Sequence, residues 1–152
     1  MGKRLSAAPD PHDLARFVAA QDPVWDDVRA ELAGGRKRSH WMWFVFPQIE
    51  GLSSSAVGRR YAIRSRAEAG AYLAHPVLAA RLAEAVKLLM ATGRTDARAI
   101  LGSPDDAKLR SSLTLFEGVA EGDTAALLAG ALERFYGGQR CPHTRDWLDA
   151  AR

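Results

Sequence analysis

The sequence is almost without cysteine: Cys141 is the single one in 152 residues. No disulfide can form within one chain, and no cysteine-based zinc cluster can be assembled from it. That fits a reducing cytoplasm, the expected location. Long apolar runs are missing as well. The longest, Trp41 to Phe46, falls far short of the roughly 20 residues that cross a bilayer, so neither a transmembrane helix nor a membrane partner is expected. Residues 1–9 include Lys3 and Arg4 but no apolar stretch behind them of signal-peptide length, and export is not expected. The sequence contains no G-x-x-x-x-G-K-[ST] phosphate loop, no G-x-G-x-x-G fingerprint, no H-E-x-x-H zinc helix and no G-x-S-x-G elbow. Its four histidines, His12, His40, His75 and His143, lack ligand spacing. No metal and no cofactor is expected, and every histidine except His40 reads as a surface or capping residue.

Charge of one sign is also scarce. Lys and Arg total 21 against 18 Asp and Glu, a net charge of +3, which mildly favours anionic partners and gives nucleic-acid binding little support. The placement says more than the total. Arg36, Lys37 and Arg38 precede the aromatic run, and Arg59, Arg60, Arg64 and Arg66 follow it.

Helical punctuation fills the rest of the chain. Residues 1–9 lack apolar periodicity and read as a disordered tail; residues 10–152 read as one all-α domain of about seven helices, packed as a bundle or orthogonally. Asp10 is placed to cap a first helix with Pro11 at its first position, and Asp22-Pro23 repeats the signal for a second helix that ends at Gly34-Gly35. The segment from Ser39 to Phe46 is apolar on every side. A helix is favoured over a strand, with Ser39 as cap and Pro47 as stop, because no second strand is available to pair with it. Gln48 to Gly58 reads as a polar loop. Ser65 with Glu68 predicts a capping box, Pro76 opens a long helix ending near Gly93, and a short segment at Ile100-Leu101 stops at Gly102. Ser103-Pro104-Asp105-Asp106 predicts a helix carrying Leu109, Leu113 and Phe116. Asp123 and Thr144 are read as caps of the last two helices.

Two stretches carry candidate chemistry. His40 lies between the basic triplet and two tryptophans, where an imidazole can donate to an anion held by Lys37 and Arg38; equally, it packs on an indole as an ordinary first-turn residue. Trp41 and Trp43, two residues apart, point in different directions on a helix, so one can fill the core while the other stacks on a ligand ring. The serine loop ending at Ser55, followed by Arg59, Arg60 and Tyr61, can form an anion nest or a plain solvated connection. Glu117, beside Phe116, is a further acid or base candidate without an evident partner.

These residues sit inside longer stretches that resemble a bacterial family, the domain of unknown function 1810. The likeness runs from Leu14 to Val24 and from Glu31 to Gln48, resumes at Gly51-Leu52, Ser55 and Tyr61 to Ile63, and continues in Glu68-Ala69, Ala71 to Leu78, Lys108 to Phe116 and Phe135 to Gly138 with Thr144. The block from Lys37 to Gln48 is its most distinctive part. The resemblance implies a mainly helical fold and supplies no reaction, since the family is defined without one. Some members have been labelled calpastatin-like, but the repetitive disordered inhibitor segments that label calls for are missing here. Two positions depart from the family pattern: Ser53 stands where glycine is usual, and Cys141 where aspartate is common.

Two functional readings follow. In the first, the chain binds, or acts on, a phosphorylated or nucleotide-like small molecule in a cleft formed by Lys37, Arg38, His40, Trp41 or Trp43, Ser55, Arg59, Arg60 and Tyr61; in an enzyme His40, with Glu117 as a second candidate, would move the proton. In the second it is a protein-interaction or self-associating module without catalysis. Polar groups converging on a concavity favour the first, and a flat exposed apolar patch the second.

Overall fold

The computed structural model describes residues 9–150. The expected tail, apart from Pro9, lies outside them. The described residues are all-helical: α1 (Ala15–Gln21), α2 (Trp25–Ala33), α3 (Met42–Val45), α4 (Ala56–Arg60), α5 (Arg66–Ala74), α6 (Pro76–Ala91), α7 (Ala97–Leu101), α8 (Asp105–Glu117), α9 (Gly122–Tyr136) and α10 (Pro142–Ala150). That exceeds the expected seven; α3, α4 and α7 are short turns that bend the connections, and of these α4 begins in the stretch expected to be a loop.

Two helices organise the packing. α8 is buried at every position from Ser111 to Phe116 and meets α5, α7, α9 and α10, while α6 packs against α1, α2, α5 and α9. Leu78, Leu82, Val86 and Leu89 form the inward stripe of α6, as their spacing requires, and α9 contributes Leu128, Ala131, Leu132 and Phe135. Five aromatic rings continue the core across elements. Phe44 lies 5.3 Å from Tyr61, Tyr61 5.9 Å from Phe17, Phe17 5.2 Å from Tyr72, and Tyr72 4.8 Å from Phe116.

Most stop signals act where the sequence places them. Ser65 accepts from the Glu68 N–H at 3.0 Å, Gly102 ends α7 at a φ of 79°, and Gly137 ends α9 in the left-handed region. Asp22-Pro23 forms a 3-10 turn, Asp22–Val24, that makes the elbow into α2.

Several caps differ from expectation. Asp10 does satisfy the N–H groups of Leu14 and Ala15, at 2.8 and 3.0 Å, but α1 begins at Ala15 and not at Pro11. The intervening turn puts Asp13 at a φ of 51°. Ser39 does not cap α3, which has Trp41 at its N-cap and is shorter than expected. Helix α8 starts at Asp105 behind Pro104 without help from Ser103; α9 starts behind Glu121, leaving Asp123 in its first turn; α10 starts at Pro142, which buries Thr144 inside it. The polar stretch Gln48 to Gly58 holds the start of α4 and a parallel bridge pairing Ile49 with Ile63.

Candidate functional site

The basic-aromatic block takes its shape from Glu31. Gly35, at a φ of 75°, turns the chain back along the end of α2. The following residues then converge on one carboxylate: Oε1 accepts from the N–H groups of Arg38 (2.8 Å) and Ser39 (3.0 Å) and from the Trp41 indole (2.9 Å), and Oε2 accepts from the Ser39 hydroxyl (2.6 Å). Burial of this carboxyl raises its pKa, but the donors from Ser39, Arg38 and Trp41 more than offset that and bring it from 4.5 down to about 2.

Lys37 is held as firmly. Its N–H donates to the Ile100 carbonyl at 2.7 Å, and its ammonium meets Asp105 at 2.9 Å and the Trp41 ring at 5.1 Å. Lys108 reaches the same carboxylate at 3.5 Å and lies 5.3 Å from the Trp43 ring. The structure therefore brings Lys37, Trp41 and Trp43 together as alternating cations and indoles around Asp105. Trp41 is fully buried with its N–H spent on Glu31, so the reading of Trp41 as a ligand-stacking face is corrected; Trp43 keeps partial exposure. Arg38 and His40 are exposed, with no side-chain hydrogen bond or ion pair among the described residues.

The second candidate stretch closes on itself. Ser55 caps α4 by accepting from the Gly58 N–H at 3.0 Å and pairs with the Ser53 hydroxyl at 3.1 Å; Arg59 donates to the Ser54 carbonyl. Tyr61 is half-buried between Phe17 and Phe44, with the Arg60 guanidinium 5.6 Å from its ring. Glu117 is clasped by Arg140 through two bonds of 3.0 and 3.2 Å. Among the described residues no hydrogen bond joins Glu117 to His40.

Three concavities take up the remaining cations. One of about 380 Å³ lies where the ends of α2 and α6 meet α7, lined by Gly35, Arg36, Lys37, Arg94, Arg98 and Ile100 among others, with no carboxylate in its wall. Arg94 is laid along the backbone of Gly35, its Nε 3.4 Å from where a Cβ would stand, and its own N–H is fixed by the Thr92 hydroxyl at 3.1 Å. Neither Arg94 nor Arg98 stood out in the sequence; the only trace was two arginines four apart directly after Gly93. A second cleft, about 530 Å³, lies between the Asp10–Asp13 turn and the α4–α5 corner, with His12, Asp13, Arg16, Arg60, Arg64 and Glu68 in its wall. A third of about 330 Å³ includes Glu50, Ser53, Arg59 and Arg64. The expected single cleft is thus divided. Lys37 belongs to the first concavity, Arg60 to the second and Arg59 to the third.

The fold and these cavities define a small all-helical domain with arginine-lined surface pockets; no described helix is long and apolar enough to cross a membrane, and no described group of His, Cys, Asp and Glu could hold a metal ion. Residues 11–148 match the family described as protein of unknown function (DUF1810), and the chain belongs to that family. It is also similar to the conserved hypothetical protein Rv1873 from Mycobacterium tuberculosis, known from a crystal structure: 46% of residues are identical, the match covers 93% of this chain and 100% of the other, and the TM-score is 0.89. No curated protein matches the chain.

Proposed function

We propose that the protein binds a phosphorylated small molecule in the pocket between the ends of α2, α6 and α7. One observation carries this reading: four cationic side chains, Arg36, Lys37, Arg94 and Arg98, line a cavity of about 380 Å³ that no carboxylate lines. The volume falls within the ordinary range of ligand sites.

The plainer account is that these cations complement helix C-termini, since Arg36 and Arg94 follow α2 and α6 and Arg98 sits in the last turn of α7. The magnitudes do not balance. A helix end presents about half a negative charge, and Lys37 is already neutralised by Asp105. Three guanidiniums against three helix ends leave a surplus of roughly one to two positive charges by that rule. Guanidiniums also present paired donors that match phosphate oxygens. An apolar docking face has less to support it, because Val57 and Val77 are the only large apolar side chains exposed among the described residues.

Thermal unfolding with inorganic phosphate, pyrophosphate and mononucleotides tests the reading, since a ligand of the folded state raises the midpoint with concentration. The expected result is such a rise, with affinity reduced roughly tenfold to a hundredfold in Arg94→Ala and retained in Arg59→Ala, which lies outside this pocket. No rise with any of these compounds, or a rise unaffected by Arg94→Ala, would overturn the assignment.

A further inference from the structure

The cleft between the Asp10–Asp13 turn and the α4–α5 corner has a different charge pattern. Arg16 is not available to a ligand. Its guanidinium donates to the carbonyls of His12, Asp13, Arg60 and Ala62 at 2.6 to 3.0 Å and to Glu68 at 2.6 Å, and the Arg16 and Glu68 side chains are 10% and 5% exposed. The two charges cancel. This one guanidinium also ties the two walls of the cleft together, because it binds the backbones of both Asp13 and Arg60, whose residues line the opening.

Besides the His12 imidazole, what remains in the wall is one free carboxylate and two free guanidiniums. Asp13 is exposed, and its carboxylate makes no hydrogen bond or ion pair among the described residues. It is also the single non-glycine residue described at positive φ, at 51°. Aspartate is among the few non-glycine residues that adopt that conformation readily, so the turn accounts for the backbone while the carboxylate itself has no partner among the described residues. Arg64 and Arg60 likewise lack an ion pair among the described residues. The Arg60 guanidinium lies 5.6 Å from the centre of the Tyr61 ring, and it makes no side-chain hydrogen bond among the described residues.

We propose that this cleft binds an acidic α-amino acid. The ammonium sits on Asp13, and the two carboxylates sit on Arg60 and Arg64. Two positive groups and one negative group call for a ligand with two negative charges and one positive, and a dicarboxylic amino acid has that complement at neutral pH. The cleft, at about 530 Å³, is large enough for such a molecule. The assignment is independent of the phosphate pocket, which shares no lining residue with it.

The test is calorimetric titration of the full chain with L-glutamate, L-aspartate and glutarate, which is glutamate without its ammonium. Wild type should bind L-glutamate or L-aspartate at least roughly tenfold more tightly than glutarate, the worth of one charge-assisted contact. Asp13→Gly removes the carboxylate while suiting the left-handed backbone, so it should keep the wild-type thermal midpoint within a few degrees, lose roughly tenfold affinity for the amino acid, and bind glutarate at least as tightly as before. Arg60→Ala should weaken all three. Equal binding of glutamate and glutarate by wild type, unchanged amino-acid binding in Asp13→Gly, or no heat with any of the three up to about 10 mM, beyond the weak millimolar range, would each overturn it.

Discussion

Glu31 shows how one side chain can settle a loop. Four donors from residues 38 to 41 end on its carboxylate, so the conformation of the basic-aromatic block depends on that group being charged. Its pKa is depressed in the folded state, to about 2 from 4.5. A depressed carboxylate contributes stability that is fully present above its unfolded pKa and is lost as pH falls towards the folded one, here between about 4.5 and 2. Partial contact with solvent holds the contribution below the roughly 3 kcal/mol that such a shift would represent in full. Glu31→Gln should therefore cost about 1–2 kcal/mol at neutral pH and flatten the acid limb of a plot of stability against pH. Denaturant unfolding at several pH values measures both. Identical acid limbs in the two proteins would remove Glu31 from this role.

Among elements, α4 is the instructive case. It is five residues long, held by the Ser55 cap, and tucked against Ser53: a Cβ on Gly58 would stand 2.4 Å from the Ser53 Cβ and 1.9 Å from its hydroxyl. An alanine in a helix ordinarily gains up to about 1 kcal/mol over glycine. Here Gly58→Ala should instead destabilise by about 1–3 kcal/mol through that overlap, and Ser53→Gly should recover most of the loss. A double-mutant cycle by urea unfolding reads the coupling, and additive effects would mean that the two residues do not collide. The only local mark of α4 in the sequence is its Ser55 cap, hidden among three consecutive serines, because Ala-Val-Gly-Arg-Arg has no apolar stripe behind it. Ser65, Pro76, Gly102 and Gly137 were legible because cap geometry and left-handed φ depend on the residue itself. Ser39 was misread for the opposite reason: its hydroxyl has a partner eight positions back, brought within reach only by the turn at Gly35. The same limit applies to the sites. The basic triplet was legible, but Arg94 and Arg98 join Arg36 and Lys37 only because α6 returns the chain to the end of α2.

At the scale of the whole molecule, the chain of rings from Phe44 through Tyr61, Phe17 and Tyr72 to Phe116 ties the loop-rich half containing α3 and α4 to the central helix α8. Phe17 is the middle link, fully buried and in contact with two of the other rings. Its removal leaves a cavity that neighbours on three elements cannot fill without moving. Phe17→Ala should cost about 3–5 kcal/mol, a large share of the 5–15 kcal/mol that holds a typical domain together, and lower the thermal midpoint by roughly 10 °C. The way the loss appears matters more than its size. Trp25, Trp41, Trp43 and Trp147 lie in or beside α2, α3 and α10, so tryptophan fluorescence reports from both ends of the chain while far-UV circular dichroism reports on all helices. If the rings join the halves into one cooperative unit, the two signals will fall together in wild type and in Phe17→Ala. If the halves are only neighbours, the variant will separate them, with the tryptophan signal from α2 and α3 lost while that of Trp147 and the helices of α6, α8 and α9 persist.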